Sequence, residues 1–108
     1  MAFKLAKKRT FKETVKVHLP LGDGKFETSE LKIEYISPPT DELDVLRTQG
    51  QIEVLKKVIV GFEGLVDDAG AEVGFDETTL NGFLAVPQAA HAAAEKFWTS
   101  LFKAPVKN

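Results

Sequence analysis

Apolar and polar residues alternate from Thr10 to Leu19: Val15, Val17 and Leu19 fall on one side, Thr14, Lys16 and His18 on the other. That period of two marks a half-buried strand. Pro20-Leu21-Gly22-Asp23-Gly24 follows, and its two glycines can take positive φ, so the chain is expected to turn back here. Residues 26–36 read as the return strand, with Leu31, Ile33 and Tyr35 sharing a face. Phe26 has the opposite parity, which calls for either a bulge that re-phases the strand or a place in the turn. Ser37-Pro38-Pro39 ends the hairpin, because proline lacks the ladder N–H and restricts the residue before it.

Beyond the prolines the period becomes helical. Thr40 is expected to cap a helix, with Asp41 and Glu42 at its positive end and an apolar stripe of Leu43 and Leu46 reaching Thr48. Gly50 interrupts the pattern, and Ile52, Leu55, Val58 and Ile59 resume it over residues 51–60. The glycine favours two helices over one kinked helix. Gly61-Phe62-Glu63-Gly64 stops the second stripe, and residues 65–75 read as a tight loop or minimal hairpin around an Asp/Gly turn. Asp76 suits the N-cap of a short helix bearing Leu80, Phe83 and Leu84. Pro87 suits the first turn of a last helix running to about Phe102. The expected fold is α+β, an N-terminal antiparallel β-hairpin followed by a small bundle of three or four helices. Residues 1–108 then form one domain, with a basic arm at 1–9 and a flexible tail at 103–108.

Composition narrows the functional classes. With 108 residues, 44% of them hydrophobic and 28% charged, the chain has the make-up of one small globular domain and not of a disordered segment. It contains no cysteine, so disulfides, thiolate metal sites and cysteine nucleophiles are excluded. The basic start is not followed by an apolar run of signal-peptide length, so the expectation is a soluble, cytoplasmic protein without a membrane span. Charge is unevenly placed. Residues 1–25 hold seven Lys/Arg against Glu13 and Asp23, a balance of +5, whereas the remainder holds seven against fourteen acidic residues, a balance of −7. A net charge of −2 argues against a dedicated nucleic-acid binder, which carries a basic domain. The basic start reads first as a solvated arm or edge strand, where lysines guard against aggregation.

No catalytic residue stands out. The two histidines, His18 and His91, lie on the polar face of a strand and inside an alanine-rich helix. Ser29, Ser37 and Ser100 have no nucleophile-elbow context, and no glycine-rich loop leads from a strand into a helix. Asp67, Asp68, Glu72, Asp76 and Glu77 crowd one loop, but their spacing fails the calcium-hand template: from Asp67, positions three and five are Ala69 and Ala71. Neither a metal nor a cofactor is expected, and the acidic loop reads as turn chemistry plus a helix cap. The chain is not expected to be an enzyme.

The last helix is the most informative stretch. A small, helix-forming run, Ala89-Ala90-His91-Ala92-Ala93-Ala94, leads into Phe97, Trp98, Leu101 and Phe102, four large apolar side chains within two turns. At helical spacing Phe97 and Leu101 lie on one line and Trp98 and Phe102 on the adjacent one. Both lines can face the core of a globular helix. Alternatively, part of the set spills onto the surface as a protein-binding patch, because aromatic residues dominate interface hot spots. Phe97, Trp98, Leu101 and Phe102 are therefore the candidate site, serving a partner or a homo-oligomer.

The order of these pieces resembles a family of phage and prophage tail assembly chaperones from long-tailed bacteriophages. The similarity is carried by Met1-Ala2-Phe3-Lys4-Leu5 with Thr10-Phe11, and by Val58-Ile59-Val60-Gly61-Phe62-Glu63-Gly64-Leu65. It continues in Asp68-Ala69-Gly70, Val73-Gly74-Phe75-Asp76, the proline before the last helix, Phe97-Trp98 and the closing Lys107-Asn108. It runs in order along nearly the whole chain, through short motifs none of which is a chemical signature. Phe62 stands where relatives often carry tryptophan. The resemblance implies a viral protein that coats the tape-measure protein in several copies and helps recruit tail-tube subunits in the host bacterial cytoplasm. It also implies a short form and a frameshift-extended form, of which this chain looks like the short one. Two other readings stay open: a tail or head–tail structural protein retained in the virion, and a small regulatory domain touching DNA through its basic start.

Overall fold

The computed structural model describes residues 2–5 and 8–103. Its elements are β1 (Thr10–Gly22), β2 (Lys25–Ile36), α1 (Thr40–Leu46), α2 (Gln51–Val58), β3 (Ile59–Glu63), α3 (Glu77–Leu84) and α4 (Pro87–Leu101). The strands form one antiparallel sheet in the order β1-β2-β3, so the fold is α+β as expected, with one strand more than the hairpin. The frayed end expected at 103–108 falls outside the described residues except for Lys103, as do Met1, Ala6 and Lys7 of the basic arm.

The hairpin turn is tighter than the Pro/Gly run suggests. Both strands continue to a Gly22–Lys25 pair, leaving a two-residue loop of Asp23 and Gly24 with φ of 53° and 74°. Positive φ at both positions belongs to the type I′ turn, whose twist matches that of the strands it joins. A register shift between Pro20 and Gly22 places the irregularity on β1. Phe26 is neither re-phased nor in the turn. It pairs with Pro20 on the solvent face and is 62% exposed.

Val15, Val17, Leu31, Ile33 and Tyr35 turn one sheet face inward, as their parity requires, and the helices cover it. Leu43 and Leu46 anchor α1, whose N-cap is Pro39 and not Thr40, without a side-chain capping bond. Gly50 separates α1 from α2. The buried face of α2 is Val54, Leu55 and Val58, whereas Ile52 lies at the surface.

The helical stripe expected through Val60 ends at Val58. Ile59–Glu63 leaves the helix and pairs along β2, with Phe62 opposite Ile33 and Ile59 opposite Tyr35. The ladder skips Val60, a bulge that lets Ile59 and Phe62 face the core although they are three residues apart. The minimal hairpin at 65–75 is present: Val66 bridges Glu72, and the Asp67 carboxylate accepts the N–H groups of Ala69 and Ala71 at 2.9 and 3.0 Å. Asp76 caps α3 in a reciprocal box, accepting from the Thr79 N–H at 2.8 Å while its own N–H donates to Thr79 Oγ1 at 3.0 Å. Pro87 opens α4, and α4 lies across β1 and against α2 and α3.

Candidate functional site

The helix α4 divides its large side chains between two roles. Ala89, Ala90, Ala93, Ala94 and Phe97 are buried, and the alanines let the helix backbone approach the sheet closely. The Tyr35 hydroxyl uses that closeness, donating to the Ala93 carbonyl at 2.8 Å. Burial pushes the Tyr35 phenol well above its ordinary value, helped by the nearby Glu13 carboxylate. Phe97 stacks within a cluster, with its ring centroid 5.4 Å from Tyr35 and 6.3 Å from Phe11.

Of the four residues expected to bind a partner, the structure therefore removes one. Phe97 is completely buried and belongs to the core, and a partner could reach it only through unfolding. Leu101, on the same line, is half-buried against the core. The adjacent line behaves differently. Trp98 is half-buried and Phe102 is 66% exposed.

Arg47, just past α1, completes this aromatic ledge. Its guanidinium lies 5.9 Å from the Trp98 ring centroid and 5.8 Å from that of Phe102, a cation–π arrangement bridging both rings. Asp44 holds the guanidinium from its own helix at 3.4 Å. Beside the ledge an open groove runs between α4 and the α1–α2 junction. Leu46, Val54 and Ala94 supply apolar lining, Trp98 a wall, and Arg47, Gln49, Gln51, His91 and Glu95 polar groups. Such a combination suits an apolar segment that keeps polar groups at its margins. Periodicity did reveal the two lines of α4. It could not reveal Arg47 and Val54, which reach the groove only through the packing of α1 and α2.

Among the described residues no three His, Asp or Glu side chains gather as metal ligands, and no buried polar side chain lacks a partner. His91 sits at the surface, with Nε2 3.4 Å from Glu95. The Lys12 ammonium donates to Glu63 Oε1 at 2.7 Å, and this hydrogen bond and its charge hold the Lys12 pKa above and the Glu63 pKa below their ordinary values. No helix of the described residues is long and apolar enough to cross a membrane. Comparison of the chain with models of known protein families, with characterised proteins and with solved structures finds no match.

Proposed function

We propose that the chain is a tail assembly chaperone of a long-tailed bacterial virus, a protein-binding domain without catalysis that works in the host cytoplasm. Its client is an apolar helical stretch of the tape-measure protein, and it helps bring tail-tube subunits to that protein. Two things support the reading: the ordered run of motifs from Met1 to Asn108, and the groove beside Trp98 and Phe102. The second carries it. The ledge offers a largely exposed Phe102 and the outer side of Trp98 to solvent beside partly apolar lining. Recognition of an amphipathic helix uses this combination, with apolar side chains at helical spacing entering the groove.

The test is co-expression with the long helical protein encoded beside this chain. The expected outcome is that the chain keeps that protein soluble and co-purifies with it, and that Phe102→Ser and Trp98→Ser lose the complex. Purified virus particles should lack the chain. Its presence there at fixed stoichiometry would instead favour a structural tail or head–tail protein, and a tape-measure protein equally soluble without it would end the chaperone reading.

A further inference from the structure

The long strand β1 is an edge of the sheet. Ser37 N–H donates to the Arg9 carbonyl at 2.8 Å, which fixes the phase of the β1–β2 ladder. Opposed residues in an antiparallel pair alternate between bonded and non-bonded, so the odd residues of β1 bond to β2. The even ones, Thr10, Lys12, Thr14, Lys16 and His18, direct their N–H and C=O groups away from β2 to the open edge. Pro20 falls in the same phase. Its missing N–H leaves the ladder to β2 intact and closes the edge toward the hairpin tip.

An open groove of about 720 Å³ lies along this edge, between Thr14, Lys16 and His18 on β1 and His91, Ala92 and Glu95 on α4. That volume is within the range that holds a small ligand or short peptide. The solvent-side face of β1 (Thr10, Lys12, Thr14, Lys16, His18, Pro20) contains no carboxylate. Antiparallel pairing with a second β1 would therefore offer no carboxylate to either lysine on that face. The strand already bonded to β1 shows the complementary arrangement: Glu34 lies opposite Lys12 and Glu30 opposite Lys16. Lys12 is engaged by Glu63, while Lys16 makes no ion pair among the described residues.

We propose that the β1 edge and its groove against α4 form a docking site for an extended, acidic segment of a partner protein, which joins the sheet as a fourth strand. Main-chain bonds to the even residues of β1 would hold it, and carboxylates at alternate positions, one of them opposite Lys16, would select it. The His91–Glu95 ridge of α4 separates this groove from the one beside the aromatic ledge and lines both, but the β1 edge does not depend on the client proposed for that ledge.

The experiment uses the full chain and two nine-residue peptides, one alternating glutamate with threonine and one alternating lysine with threonine. Amide exchange and titration should show the glutamate peptide slowing exchange at Thr14 and Lys16 while the lysine peptide does not. Lys16→Glu should weaken the glutamate peptide about tenfold and transfer preference to the lysine peptide. Thr14→Pro should abolish binding of the glutamate peptide, since it removes an outward N–H and spares the ladder to β2. Should Thr14→Pro fail to fold, the Lys16→Glu reversal decides alone. Phe102→Ser should leave peptide binding unchanged, which separates this site from the ledge. Unprotected Thr14 and Lys16 amides with peptide in excess, or binding indifferent to Lys16→Glu, would overturn the proposal. So would protection that grows with protein concentration without peptide, which would assign the edge to a second copy of the chain.

Discussion

Two aromatic residues of the last helix, Phe97 and Phe102, meet opposite environments, and substitution should separate them. Phe97→Ala removes a fully buried ring that contacts Phe11, Tyr35 and Trp98 and should cost about 3–5 kcal/mol of stability, read by denaturant unfolding. Phe102→Ser acts on a largely solvated ring and should leave the unfolding midpoint nearly unchanged while weakening association with the client proposed above. A Phe102 variant that unfolds as readily as the Phe97 variant would place the ledge in the core. Tyr35→Phe deletes a buried hydrogen bond and should cost about 1 kcal/mol. It should also change the alkaline limit. Burial raises the folded phenol pKa above its unfolded value of 10.0, so the folded state holds its proton longer. The stability arising from that shift is complete below pH 10.0 and is lost as pH rises through the higher folded value. Unfolding above pH 10 should therefore depend less on pH in Tyr35→Phe than in the parent chain.

Among the elements, α3 and the hairpin turn are specified locally and so are open to local tests. Asp76→Ala removes the carboxylate that accepts the Thr79 N–H, one of the two bonds of the capping box, and should cost about 1 kcal/mol, visible as faster amide exchange in the first turn of α3. Gly24→Val places a β-branched residue at φ 74°, a left-handed conformation that costs an L-residue about 1–2 kcal/mol. The loss should appear as fraying of the hairpin tip, with Ile33 and Tyr35 amides still protected. The Lys12–Glu63 pair ties β1 to β3 across β2, but both side chains are more than half exposed, so its contribution is small and screened by salt. Its acid-side sign follows from the lowered Glu63 pKa. The contribution is present above the ordinary carboxylate value and fades as pH falls through the lower folded one.

At the scale of the molecule, the radius of gyration of 15.3 Å exceeds the ~13 Å typical of a compact domain of this length. The hairpin contributes to that excess: past Leu19 on β1 and before Leu31 on β2 its residues are exposed, and Leu21 and Phe26 stand in solvent. A small core with such an arm leaves a large surface exposed, which suits the binding role proposed above. The acidic loop around Asp67 satisfies its own backbone through an Asx turn and the Asp76 cap. Melting should accordingly be unchanged by chelator. A fall of several degrees would reveal a bound cation stabilising the folded state.

Where a side chain's role depends on neighbours along the chain, it was legible from the amino-acid order. The alternation at Val15 and Val17, the Asp-Gly turn, the Asp76 cap, the Pro87 start and the two lines of α4 all follow from backbone periods and short-range hydrogen bonds. The tertiary structure alone decided the rest. Ile59 and Phe62, three residues apart, imitate a helical stripe, and only the free edge of β2 and the bulge at Val60 make them strand. Ile52 and Val54 exchange places between expected and actual core because packing, not propensity, sets the rotation of so short a helix. The groove beside Trp98 and the open edge of β1 each join residues far apart in the chain. No period encodes which helix line faces a neighbour and which faces water. That choice is made when the alanine face of α4 closes on Tyr35, burying Phe97 and leaving Phe102 outside.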